Sequence, residues 1–467
     1  MFGFLFWQCC GCVVAVQAVG GANANSYLAV NCRKHTFSLT EFGGVGDGKT
    51  LNTAAFGKAT AQLSQYASDG GSLLIVPAGE WLTGPFNLTS NFTLYLDKGA
   101  VILASQNVKD YQLIAALPSY GRGRDAPGGR FISLIFGTNL TDVVITGENG
   151  VIDGQGQLWW KMFQNNELKN TRPYLIEIMH SNHIQLSNLK LVNSPSWNVH
   201  PVYSSDIIIE HLTISAPVDS PNTDGINPDS CSNVRIWDNC IQSGDDCVAI
   251  KSGWDEYGVK VNMPSRHISI KRLTCVSPTS ATVAVGSEMS GGVEDVRAED
   301  ITAINTQSGI RVKTSPGRGG YVKDIYLRNA TFLEWMKYVF WVTAEYGDHP
   351  DDGFNPNAIP KVTGLSFTNI MAQNVTYAGK LVGPEAAPFA DICISNATIA
   401  MHIDDGKKHK NKKEPWNCTD IAGKWSFVTP QPCSRLVKMP SLECGFPSDR
   451  LPIENVQLQS CPLSGIK

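Results

Sequence analysis

A chain of 467 residues with 42% hydrophobic and 17% charged residues has ample material for a large folded core. Its formal charge of −4 excludes a general attraction to nucleic acid or to an anionic membrane surface. A polyanionic ligand would need a local basic patch.

The N-terminal run from Met1 to Val16 is apolar, and the first charged side chain is Arg33. With Ala22-Asn23-Ala24 as an A-x-A cleavage pattern, residues 1–24 are expected to be a secretory signal peptide, leaving a secreted, extracellular or cell-wall protein with no membrane attachment. Seven N-x-S/T sites, at Asn87, Asn91, Asn139, Asn329, Asn374, Asn396 and Asn417, agree with secretion. Three of the 13 cysteines would leave with the signal, and the other ten form an even set able to pair outside the cell. Cys231 and Cys247 are expected to bridge neighbouring turns, and Cys418, Cys433, Cys444 and Cys461 to form a separate C-terminal staple. None of the ten shows paired C-x-x-C spacing, so no metal centre and no cofactor are expected.

Thr53 to Tyr66 predicts a helix, with Asn52 as its N-cap and Ser68-Asp69-Gly70-Gly71 as its stop. From there the chain is β-rich and repetitive. Small or polar residues, alternating apolar positions, an Asn, Asp or His and a second apolar pair recur, the first apolar members being 184, 207, 234, 268, 296, 325, 365 and 392, at spacings of 23, 27, 34, 28, 29, 40 and 27. A strand repeat of this length predicts an all-β fold: a single-stranded right-handed parallel β-helix, a solenoid with an N-terminal capping helix. The solenoid and its cap are expected over 25–400, and 401–467 as a cysteine-containing tail packed on it.

Asp224 and Asp245 are 21 residues apart, and Asp224 and Asp246 are 22 apart, which is about one of the shorter coils. The three carboxylates are therefore expected on adjacent rungs, where mutual repulsion spreads their pKa values. Three such groups suit an inverting glycosidase: one stays protonated as general acid while the others hold and deprotonate water. Gly225 and Gly244 permit a close approach of backbone or ligand. Arg311 and Lys313, two apart on a strand, are expected to face one side and grip a substrate carboxylate.

In Asn222-Thr223-Asp224, Gly244-Asp245-Asp246 and Arg311-Val312-Lys313, taken in that order, the chain resembles the polygalacturonase family, glycoside hydrolase family 28. The resemblance implies a β-helix enzyme, expected to act as a monomer, that hydrolyses α-1,4-galacturonosyl links of pectin with inversion and without a metal. It further implies Asp245 as general acid, Asp224 and Asp246 as the pair activating water, Arg311 and Lys313 as the grip on galacturonate, and Asn222 as a supporting site residue. One family motif departs: the histidine of Gly-His-Gly falls at Ala281. A branched or rhamnose-containing galacturonan is therefore an alternative substrate, and a non-catalytic pectin-binding solenoid an alternative function. Glu288 is a further acid expected to meet substrate. Arg122, Arg124 and Arg130, in a glycine-rich loop, are candidates for further galacturonate units, the run Lys407 to Lys413 for a pectin tether, and Thr343 to Pro360 for a wall of the groove.

Overall fold

A computed structural model of the chain describes residues 26–402 and 414–463. The signal peptide and the Lys407 to Lys413 run lie outside the described residues. The chain winds as a right-handed parallel β-helix, with 26 of its strands joined in one continuous sheet assembly. The sequence markers fall in one column: Phe92, Val143, Ile184, Ile207, Val234, Ile268, Val296, Ile325, Leu365 and Ile392 are paired in register from coil to coil. All ten are buried. Each side chain fully removed from water contributes roughly 1.5–3 kcal/mol, so stacking one apolar residue on the next stabilises the coils mutually.

The polar residue before each marker has its own cause. Asn91, Asp142, His183, Asp206, Asn233, His267, Asp295, Asp324, Gly364 and Asp391 all have positive φ, between 50° and 69°. The chain turns there through the left-handed region, which Asn, Asp and Gly tolerate best. A second left-handed column runs through Asp300, Asn329, Asn369 and Asn396, in which each Asn amide donates to the side-chain oxygen of the residue on the coil before.

The helix forms over Thr53–Leu63 and continues as a short 3-10 turn over Ser64–Tyr66. It covers the first coils with Phe56, which stacks on Phe86 at 4.1 Å. Asn52 does not cap it: its amide is occupied by Val45, Thr50 and Leu82, which ties the preceding loop to the solenoid instead. Two short helices not foreseen in the repeat, Gln157–Gln164 and Asp255–Val261, are carried on loops between strands.

Stacking also runs past residue 400. Trp416–Thr419, Ile421–Thr429 and Leu436–Lys438 pair in parallel with the preceding coils, so the solenoid ends at Lys438 and the tail is shorter than 401–467. That tail returns along the solenoid and its last strand, Gln459–Pro462, pairs with Ser26–Ala29.

The cysteines pair differently from expectation. Cys247 joins Cys275 on the next coil, and Cys231 is a buried free thiol. Cys418–Cys433 is local, but Cys444 reaches back to Cys393 and Cys461 to Cys32, so these bridges fasten the tail to both ends of the solenoid instead of forming a separate staple. Cys240 is disulfide-bonded as well.

Candidate active site

The outward face of one sheet forms a cleft floor. Its coils succeed one another through Val199, Ile226, Val248, Val283, Ile310 and Phe340, whose side chains point inward. Neighbours in sequence therefore point outward, and the loops entering these strands carry the carboxylates. Asp224 leads into Ile226, and Asp245 and Asp246 lead into Val248 one coil later. Carboxylate oxygens of the three lie within 4.8 Å of one another. Gly225 and Gly244 make this spacing possible: a Cβ on Gly225 would sit 2.5 Å from Cys247 O, and one on Gly244 would strike Ser220 O. The close approach is between coils, not to a ligand.

The cleft has a volume of about 480 Å³ and is lined by Asn222, Asp224, Asp245, Asp246, Glu288 and Lys313 among the residues foreseen. Asp246 is buried and held by four groups: Lys313 Nζ at 2.5 Å, Ser280 Oγ at 2.5 Å, Ala281 N at 3.0 Å, and the charge of Arg311. Burial alone would raise its pKa, but Lys313 and Arg311 outweigh that and hold the carboxyl below its usual range. Asp224 is equally buried and differs in outcome. Desolvation first, then the charge of Asp245, push its pKa up to about 8, against the opposing pull of Lys251 at 4.0 Å. Asp245 is the one carboxyl of the three that is partly exposed, and Asn222 Nδ2 donates to it at 3.3 Å. Within the pair that the resemblance implies activates water, the surroundings differ: Lys313 and Arg311 favour the charged form of Asp246, whereas burial beside Asp245 favours the protonated form of Asp224.

Glu288 is not an exposed loop carboxylate. It is 1% exposed, paired with Lys251 at 2.8 Å and Arg124 at 2.6 Å, and these cations hold it far below the usual carboxylate range against the cost of burial. Arg311 shares the face of Lys313 but does not line the cleft: its guanidinium lies over the Trp341 ring at 3.7 Å. Arg122 and Arg124 line the cleft, whereas Arg130 is buried against Glu177 away from it. Ala281 donates its backbone N–H to Asp246, and its side chain is packed against Ala249 and Ala284. In the segment 343–360, Tyr346, Asp348 and His349 do form a wall, and His349 is the histidine that lines the cleft.

Lys251, Trp197 and Trp254 were missed. Lys251 lies over Trp197 at 4.6 Å and beside Asp224 and Glu288. Its position five residues after Asp246, ending the same apolar strand, was the available signal.

By spacing alone the three aspartates could surround a cation. Two of them already face ammonium groups, Asp246 that of Lys313 and Asp224 that of Lys251. The donor set therefore arrives with its own positive charge and fits a proton-transfer site better than a calcium cage.

The model of glycosyl hydrolases family 28 matches residues 74–423. The chain belongs to this family. It is 59% identical over 442 residues to a probable polygalacturonase of Vitis vinifera, covering 94% of this chain and 88% of that one. It is 30% identical over 342 residues to an endo-polygalacturonase of Pectobacterium carotovorum, covering 70% and 76%. Among solved structures, an exopolygalacturonase of Thermotoga maritima superposes with a TM-score of 0.69 at 27% identity, covering 80% of this chain and 89% of that one. As a member of family 28 the chain is a glycosidase, and the carboxylate cluster sits within the matched region.

Proposed function

We propose that the protein is a secreted polygalacturonase that hydrolyses α-1,4-galacturonosyl links of pectin, and that Asp224, Asp245 and Asp246 carry the reaction. The observation that carries this is the geometry of the cluster: three carboxylates with oxygens within 4.8 Å of one another in one cleft, Asp246 buried on Lys313 Nζ at 2.5 Å, Asp224 buried beside it, and Asp245 partly exposed to the cleft. Asp245, the accessible one, donates the cluster's proton to the glycosidic oxygen as the C1–O bond breaks. Asp224 stores that proton in the free site. Asp246, fixed as an anion by Lys313, takes a proton from the attacking water, whose oxygen joins C1. One water is consumed and one proton is returned to the cluster.

Lys313, Arg124 and Arg122 give a galacturonate carboxylate cationic partners in a cleft otherwise crowded with acids. Arg311 supports this charge from its stack on Trp341. Glu288, engaged on both oxygens, orients Lys251 and Arg124 instead of touching sugar. At Ala281, where the family histidine is absent, the backbone N–H joins Ser280 Oγ in donating to Asp246, and no imidazole is offered there to the acid or the sugar. Secretion is supported by the disulfides, which form in oxidising compartments. Among the described residues no helix is long and apolar enough to cross a membrane.

The test is reducing-sugar release and anomeric proton NMR on polygalacturonan, with Asp245→Asn as control. Inverted product from the wild type alone is expected. Retained configuration would refute the water-activation roles, a live comparison because carboxylates within 4.8 Å are closer than the roughly 6.5–9.5 Å common in inverting enzymes. No product from any pectin would refute the function itself.

A further inference from the structure

The cleft is closed at one end by an arm of the chain. Residues 115–129 project between two short antiparallel strands, Leu113–Ile114 and Arg130–Phe131. Asp125 fastens the arm to one wall, pairing with Arg172 at 2.8 Å, and Arg172 holds Asn222 Oδ1 at 2.7 Å. Ser119, Arg122 and Arg124 fasten it to the opposite wall. Trp254 N–H donates to Ser119 O at 2.8 Å, Arg122 to Pro350 O at 2.6 Å, and Arg124 spans to both Glu288 and Asp348.

The space under the arm is filled. Tyr120 OH donates to Asp229 at 2.6 Å, Ser119 Oγ meets Tyr203 OH at 2.6 Å, and Leu117 and Tyr120 join Tyr174, Trp197 and Trp254 in one buried cluster. Leu117, Ser119 and Tyr120 are each no more than 3% exposed. A polysaccharide lying along the sheet past Asp224 therefore meets a barrier that reaches from Arg172 and Tyr203, on coils preceding the carboxylates, across to Trp254, Glu288 and Asp348.

The other side of the cluster is different. There the outward positions of successive strands hold Arg311, Trp341 and Lys380 in register, and Tyr338 stacks on Tyr377 at 5.1 Å beside them. All five side chains are partly exposed. Flat aromatic faces suit sugar rings, and interleaved cations suit the carboxylate on each galacturonate.

We propose that the cleft is a blind pocket for the terminus of a galacturonan chain, so that hydrolysis proceeds from a chain end while the rest of the polymer runs out over Arg311, Trp341 and Tyr377. This rests on the galacturonan reading given above. The arm is the specificity-determining element, because it stops the chain before the sugars can pass the carboxylates and continue along the sheet.

The test is a time course of product lengths and solution viscosity on polygalacturonan, run with the full chain. Short products of one fixed length from the earliest time, with viscosity persisting, are the expected result. Mid-length oligomers with an early collapse of viscosity would overturn chain-end action and leave the hydrolase reading standing; no product at all would remove both. Oligomers altered at one terminus, either reduced at the anomeric end or dehydrated at the opposite end, add a second arm. Resistance of one of the two is expected, and equal cleavage of both overturns the proposal. A variant with residues 117–127 replaced by a short glycine linker, if it melts cooperatively, should shift its first products to mixed longer lengths. An unchanged product pattern in that folded variant would show that the arm does not set where the chain stops.

Discussion

Two buried charge clusters meet at Trp197. In one, Arg130, Glu177, His200 and Asp229 are linked in a chain, with His200 set edge-on to Trp197 at 4.9 Å. In the other, Asp224, Asp245 and Asp246 face Lys313 and Lys251, with the Lys251 ammonium over the ring of the same tryptophan at 4.6 Å. The first cluster is sealed: all four residues are at most 4% exposed, two cationic partners meet two carboxylates, and Tyr120 OH adds a further donor to Asp229. The second opens to a cleft and leaves one carboxyl, Asp224, with its pKa raised to about 8. A buried charge that is fully partnered serves position, whereas one left in electrostatic conflict holds a proton ready to move.

The largest effect expected from breaking this contrast is on turnover. Asp245→Asn removes the accessible acid and should lower kcat by roughly 10²–10⁴, the range that positioned proton transfer supplies, with little change in melting temperature. Glu177→Gln does the reverse. It leaves Arg130 and His200 buried without their carboxylate, which costs about 3–5 kcal/mol, read as a lower denaturant midpoint, while any folded fraction keeps its activity per molecule. Equal loss of turnover per folded molecule in both variants would mean that the sealed cluster is part of the chemistry.

The sealed cluster also has its own pH signature. Glu177 has a lowered pKa, because Arg130 and His200 outweigh its desolvation, so its stabilising contribution is complete above about 4.5 and lost as pH falls through the folded value. His200 has a raised pKa: burial opposes the charge, but Asp229 and Glu177 prevail. Its contribution is complete below about 6.5 and lost as pH rises through the folded value. Melting temperature should therefore be highest in the mildly acidic interval between these limits. The open cluster adds to the loss at neutral pH. Asp224, with its pKa raised from 3.8 to about 8, costs stability increasingly as pH climbs through that interval. Asp224→Asn should be inactive yet more heat-resistant than the wild type at pH 7–8, and nearly equal to it at pH 4, a trade of stability against function visible in one thermal-shift series.

The two clusters were unequally legible in the sequence. The fold was legible because each coil repeats the same demand: an apolar residue to stack inward and an Asn, Asp, His or Gly to turn through positive φ, as at His183-Ile184 and Asp324-Ile325. Asp224, Asp245 and Asp246 were legible because their separation equals a coil and no apolar stack explains them. The sealed cluster was not. Glu177, His200 and Asp229 lie on three successive coils in strands that otherwise read as apolar, and nothing local marks their outward side as covered by the arm at 115–129. Lys251 and the Cys247–Cys275 bridge were hidden for the same reason, since each depends on which coil lies next and not on a neighbour in the chain. Lys251 also carries the finest distinction between the clusters. Its charge is the larger of the two lysine counterweights that keep Asp224 from rising further, so the alkaline limb of kcat/KM should descend through about pH 8 in the wild type.

Lys251→Met keeps an apolar stem of similar length and removes the ammonium that lies over Trp197. Glu288 retains Arg124 as a partner, so the cleft wall survives the change. The sign follows from the direction of the lost interaction: a positive charge near Asp224 favours its ionised form, and without it the proton is bound more tightly. The alkaline limb should therefore move upward by about one unit or less, while Asp246, whose anion is fixed by Lys313, keeps the acid limb in place. A pH–rate series with and without a chelator completes the comparison, and the two curves should superimpose because the charges opposing these carboxylates are lysines. A limb that stays put in Lys251→Met would place the working proton elsewhere than in the Asp224–Asp245 pair, and a limb that moves downward would reverse the electrostatic order of the cluster.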